Sequence, residues 1–252
     1  ENAAVGFNAL HTNTIGNYSV AIGAWALYNS TGANNTALGH SALYSNTSGT
    51  GNMALGKALY ANTTGANNTG IGELAGYANT IGTGNVFIGR SAGFWEAGSN
   101  KLYISNNPTT PLLYGVFSGT AANNKLGVGT VTIPAGNTIA VWNGARLTTG
   151  GVWTNASSRE LKENIQTLSA EDANQALAAL SPVRYVYKNS RDEEYVGFIA
   201  EDVPDLVASN DRKSLSPMDI VAVLTTVTKE QKAEITALRD ALARQDERML
   251  QM

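Results

Sequence analysis

The sequence predicts a mainly β protein with two unlike parts. A trimeric β-solenoid or β-roll with a β collar comes first, and a small α+β domain ending in a long coiled-coil helix follows. Three observations predict it. Of the 26 glycines, 24 fall in residues 1–150. Charge does the reverse, with five basic and three acidic residues up to position 150 against 12 and 17 beyond it. The chain end then carries a heptad seam. Stretches of such different chemistry form different structures, with expected divisions at 1–98, 99–155 and 156–252.

The first division rests on a repeat. Apolar-Gly steps recur at Gly6, Gly23, Gly39, Gly56, Gly72 and Gly89, with spacings of 17, 16, 17, 16 and 17. A second series runs Gly16, Gly32, Gly49, Gly65, Gly82 and Gly98, with spacings of 16, 17, 16, 17 and 16. Two interleaved ladders of one period imply two short elements and two tight turns per repeat, with glycine at corners of positive φ. Segments such as Ser19–Ile22, Thr36–Leu38 and Asn85–Ile88 read as strands. One coil cannot bury its own apolar face, so coils must stack. Few charges and thin coils suggest that several chains also pack side by side. Disordered low-complexity sequence is the competing reading, but disorder has no reason to hold register over six repeats.

The ladder resembles the head repeats of trimeric autotransporter adhesins, on the step Ser19 to Gly23 and its echoes, although the period here is slightly longer. That resemblance implies a β-roll in each of three chains.

Beyond Gly98 the glycine period stops. Leu102–Ile104, Leu112–Phe117, Lys125–Gly129 and Thr138–Trp142 read as strands separated by turns, making a small collar. Its Trp and Tyr residues could stack on sugars, but core packing is the commoner use.

Composition narrows the chemistry. There are no cysteines, hence no disulfides, thiolate metal sites or Cys nucleophiles. The two histidines, His11 and His40, lie far from the charged part and argue against a zinc site. The acidic residues Glu193, Glu194, Glu201, Asp202 and Asp205 lack regular ligand spacing and read as solvated surface. Neither Gly49–Gly51 nor Gly127–Gly129 opens a helix in a βαβ unit, so no dinucleotide site is expected. No metal or cofactor is expected. A net charge of −3 gives no sign of nucleic-acid binding, and no apolar run is long enough for membrane insertion. The chain opens on Glu1 and reads as part of a longer polypeptide.

Residues 155–165, Asn155 to Ile165, carry the chemistry. A serine hydroxyl is a weak nucleophile until a base takes its proton. With no histidine in this half, the available base is lysine, which serves where burial lowers its pKa towards neutrality. Lys162 lies five residues after Ser157 and four after Ser158. Such pairs are common by chance, and either serine could instead cap a helix through Glu160–Glu163.

The string from Ser157 to Ile165 resembles the opening of the peptidase S74 family, the intramolecular chaperones of endosialidase tailspikes and other phage fibres, also found in myelin regulatory factor. Leu180–Lys188 and Val196–Val207 resemble later blocks of that family, in order. The resemblance covers about residues 153–252. It implies that Ser157 is the nucleophile and Lys162 the general base of a single-turnover self-cleavage. The family often has Asp after the serine, where this chain has Ser158, so Ser158 stays as the less favoured nucleophile. The cut falls beside Ser157. Attack on the Ala156 carbonyl closes a five-membered ring and attack on its own carbonyl a four-membered one, which favours Ala156–Ser157. The resemblance further implies a homotrimer on a virion tail fibre or spike, with a host glycan or protein receptor. A bacterial surface adhesin with a non-cleaving cap is the alternative.

After the dyad, Ser169 starts a helix that Pro182 ends. Val183–Tyr187 and Tyr195–Ala200 read as strands of a hairpin across residues 189–194. The last helix, from about residue 220, carries Leu224, Thr228, Gln231, Ile235, Leu238, Leu242, Gln245, Met249 and Met252 at alternating spacings of four and three. Gln231 and Gln245 are polar seam positions that set register and strand number. A parallel trimeric coiled coil is expected. The competing reading is an amphipathic helix packed on its own domain.

Overall fold

The computed structural model describes residues 1–250, so Met252, the last expected seam residue, lies outside the described residues. The chain divides into two compact units, Glu1–Leu161 and a second that begins at Lys162.

The first unit is one 12-stranded sheet in sequence order. Six three-residue strands come first: β1 Ala3–Val5, β2 Val20–Ile22, β3 Thr36–Leu38, β4 Met53–Leu55, β5 Thr69–Ile71 and β6 Val86–Ile88. All pair in parallel, so each strand is one rung of a solenoid. From β2 onward the middle residue of each rung is buried, with Ala21, Ala37, Ala54 and Phe87 fully so. The third residue points outward. Val5, Ile22, Leu38, Leu55 and Ile88 form an exposed apolar stripe down this face of the single chain.

The first glycine series behaves as expected. Gly23 has φ +130°, and a Cβ on it would stand 2.5 Å from the Gly39 carbonyl oxygen. The second series is needed for a different reason. Gly32 has no positive φ, but a Cβ there would meet the Gly49 carbonyl oxygen at 2.1 Å. Rung-to-rung approach, not backbone handedness, excludes a side chain at this corner.

The other side of each coil is not a strand. Leu27, Leu43 and Leu59 hold φ of +49°, +53° and +51° while fully buried. Their amides donate to the next rung, for instance Leu27 N to Ala42 O at 3.0 Å and Leu43 N to Ala58 O at 3.1 Å. Left-handed leucine costs about 1–2 kcal/mol, comparable to the 1.5–3 kcal/mol gained roughly from burying its side chain. In the last two coils Gly76 and Gly93 take the leucine position, and the Phe87 ring fills the space between them.

Two features invisible as such in the repeat hold the coils together. Asn35, Asn52, Asn68 and Asn85 are buried. Each Oδ1 accepts the backbone amide one rung on, from Asn52, Asn68, Asn85 and Lys101 at 2.9–3.0 Å. Each Nδ2 donates to a corner carbonyl, of Gly49, Gly65, Gly82 and Gly98, at 2.8 Å. Outside runs a stack of rings, His11–Tyr28–Tyr44–Tyr60–Tyr77–Phe94, with centroids 4.9–5.3 Å apart.

The connector continues this sheet. β7 (Lys101–Ile104) is one more parallel rung on β6, so the strand period outlasts the glycine period. β8 (Leu113–Val116) and β9 (Lys125–Val128) then turn antiparallel. β10 (Asn137–Val141) pairs parallel to β9, and β11 (Arg146–Thr148) and β12 (Trp153–Thr154) close the sheet. Tyr103, half-buried at the last rung, donates its hydroxyl to Glu96 Oε2 at 2.7 Å. Burial first, then that bond and the Glu96 charge, push its pKa well above the ordinary tyrosine range.

In the second unit, α1 (Ala170–Ala179) is capped by Ser169, whose Oγ accepts from the Asp172 amide at 3.0 Å. β13 (Val183–Tyr187) pairs antiparallel with β14 (Ser190–Gly197). The hairpin turn is tighter than expected. β14 starts at Ser190 and takes in Arg191–Glu194, read from sequence as loop, because both faces of this exposed ribbon tolerate charge. α2 is Pro217–Leu250. Ala173, Ala176, Val203, Val207, Val223 and Val227 form the core, with Leu177, Phe198 and Ile220 packed around it.

Candidate active site

The approach to the Ser-Lys segment is built by the end of the sheet. β12 pairs with β11 through Arg146↔Thr154 and Leu147↔Trp153, and Thr154 Oγ1 donates to the Arg146 carbonyl at 3.3 Å. Two residues beyond β12, Ala156 is half-buried between exposed Asn155 and Ser157.

Ser157 is exposed, outside any strand or helix. Ser158 differs. Its Oγ accepts from the Glu160 amide at 3.3 Å and its carbonyl from the Leu161 amide at 3.1 Å. It therefore opens a single 3₁₀ turn, Arg159–Leu161, where the sequence allowed a helix through Glu160–Glu163. Lys162 is the exposed first residue of the second unit. Ser157 and Lys162 each have an interaction partner.

The seam residues lie on α2 away from its packed face. Val223 and Val227 are buried against α1, whereas Leu224, Ile235, Leu238, Leu242 and Met249 are exposed, Leu238 by 69%. Thr228, Gln231 and Gln245 are exposed as well. Among the described residues, only the first turns of α2 pack as the competing reading expects, and the seam residues stay exposed.

In the second unit, Tyr185, Tyr187, Phe198, Lys213 and Leu215 border an open cleft of about 880 Å³. The Asp211 carboxyl is held below its ordinary range, chiefly by the Ser209 hydroxyl and then by the Lys213 amide. Among the described residues no group of His, Asp or Glu could hold a metal ion, and no helix is long and apolar enough to cross a membrane.

The Peptidase S74 family, described as chaperone of endosialidase, matches residues 157–211. The match opens at Ser157 and spans Lys162, α1, the β13–β14 hairpin and Asp211. It implies a role for this segment in the trimerisation and folding of the β-solenoid, and the family is autoproteolytic. Comparisons with curated proteins and with solved structures found no match.

Proposed function

We propose that residues 157–252 are the intramolecular chaperone of a trimeric fibre or spike, which aligns three β-solenoids and then releases itself by cleavage at Ser157. The observation that carries this reading is the place of Ser157. It opens the family match directly after the last strand of the 12-stranded sheet and five residues before the residue that begins the second unit. A cut there separates shaft from chaperone with neither core broken.

The bonds made and broken involve only this chain and water. Neutral Lys162 takes the Ser157 hydroxyl proton as Oγ attacks the Ala156 carbonyl carbon. The tetrahedral intermediate collapses with loss of the C–N bond, and the departing Ser157 nitrogen receives that proton. Water then hydrolyses the Ala156 ester, which yields a carboxylate on Ala156 and restores the Ser157 hydroxyl. An oxyanion hole lowers the barrier to the intermediate. Lys162 is exposed in the single chain, and on this reading cleavage waits for the other two chains to cover it. That requirement ties cleavage to assembly.

Stacked coils give no local choice of register between chains. The exposed α2 seam aligns three C-termini first, and the exposed apolar stripe of β1–β6 then closes shaft against shaft. Cleavage removes the template and leaves the trimer kinetically trapped.

The test is a denaturing gel and intact mass on fresh protein, wild type beside Ser157→Ala and Lys162→Ala. Fragments of residues 1–156 and 157–252 are expected from wild type alone, with trimers in all three. An uncut wild type, or an unfolded monomeric Ser157→Ala product, sinks the reading. The second reading, a non-cleaving cap on a fibre or adhesin with receptor contacts on the solenoid, draws on the exposure of Lys162. One intact mass in all three proteins would favour it.

A further inference from the structure

The turn between β10 and β11 meets the chain just before Ser157. The turn is closed by the Val141 amide on the Ala145 carbonyl at 2.8 Å and by the Gly144 amide on the Val141 carbonyl at 2.9 Å. Asn143 Oδ1 accepts the Ala145 amide at 3.1 Å. Gly144 sits at φ +87°, and a Cβ on it would stand 2.9 Å from Ala156 Cβ and 3.9 Å from Ala156 Cα, with no other heavy atom within 4 Å. The hydrogen on Gly144 thus leaves a seat that one methyl group, that of Ala156, occupies. β12 delivers the chain to this seat, since Trp153 and Thr154 are paired to β11.

We propose that Gly144 is a positioning residue for self-cleavage: the β10–β11 turn seats Ala156 and so presents the Ala156–Ser157 peptide for attack. This rests on the cleavage reading above and adds a condition to it. The seat belongs wholly to the first unit and exists only when the final hairpin of the sheet has formed. Cleavage is therefore gated by completion of the shaft's end as well as by the chaperone, a checkpoint that spares half-folded chains.

Carbon atoms pack at about 3.5–4.0 Å, so an added methyl at Gly144 displaces Ala156 by roughly 0.6–1 Å. A misplacement of that size costs on the order of 100-fold in rate where geometry controls attack. The experiment follows the first-order cleavage of the full chain by gel, with trimer content measured in parallel. Gly144→Ala is expected to form trimers and cleave about 10- to 100-fold more slowly. Gly136→Ala is the strain control, because Gly136 has φ +76° with nothing within 4 Å, and it should cleave at the wild-type rate. Ala156→Gly removes the atom in contact, so Gly144→Ala/Ala156→Gly should cleave as fast as Ala156→Gly alone. Should Gly144→Ala fail to assemble, Ala156→Val loads the same seat with the turn untouched and should slow cleavage alike. A wild type that cleaves while Gly144→Ala keeps pace, or a double variant as slow as Gly144→Ala, overturns this inference alone. A wild type that never cleaves overturns the parent reading and this one with it.

Discussion

Residue 76 shows how single positions balance volume between coils. Coils two to four pair a small strand residue, Ala21, Ala37 or Ala54, with a buried leucine opposite. The fifth coil has Gly70 on its strand, and Phe87 on the sixth fills the space between Gly76 and Gly93. A Cβ on Gly76 would fall 2.4 Å from the Phe87 ring, and one on Gly93 2.3 Å from it. Gly76→Ala should therefore destabilise the solenoid by about 1–3 kcal/mol, the usual cost of overpacking, added to its strain at positive φ. Chemical denaturation checks this, and Phe87→Leu in the Gly76→Ala background should recover part of the loss. A neutral Gly76→Ala would mean that the ring shifts freely, against close packing.

At the scale of the element, the asparagine ladder does for a coil what a strand pair does for a sheet. Asn68 accepts the Asn85 amide, donates to the Gly82 carbonyl and sends its own amide to Asn52. Asn68→Ala leaves the buried Asn85 amide unpartnered, whereas the Gly82 carbonyl keeps the Asn79 Nδ2 donor at 3.2 Å. A loss of about 1–3 kcal/mol in the solenoid's unfolding free energy is expected. Asn→Ala at exposed Asn155 should change it by less than about 0.5 kcal/mol. Hydrogen exchange would locate the damage, because protection should drop first at the amides of residues 69 and 85.

At the scale of the whole molecule, the proposed trimer rests on the exposed seam of α2. Leu238 and Ile235 make no use of the chain's own core, which stops at Val227. Charging them, as Ile235→Asp with Leu238→Asp, should leave the second unit folded by circular dichroism and reduce the trimer to monomer by light scattering. Cleavage should fall with it, since Lys162 then stays solvated. A double variant that remains trimeric would place the assembly contacts on the solenoid stripe instead.

The sequence by itself determined the repeat, because Gly, Asn and strand residues at spacings of 16 and 17 encode local geometry that each coil repeats. It also determined Ser169 as a helix cap, the strand Val183–Tyr187 and the long terminal helix, all governed by contacts within a few residues. The Ser157 to Ile165 string pointed to the family segment for the same reason, as a contiguous motif. Tertiary structure alone decided the rest. That Asn35 to Asn85 are buried bonds rather than turn surface depends on a partner one rung away. That leucines sit left-handed depends on the core they fill. Ring stacking from His11 to Phe94 and the Gly144–Ala156 seat are likewise contacts between residues 12 to 17 apart in sequence. Spacing states which residues recur, but only the coil's closure states which of them touch.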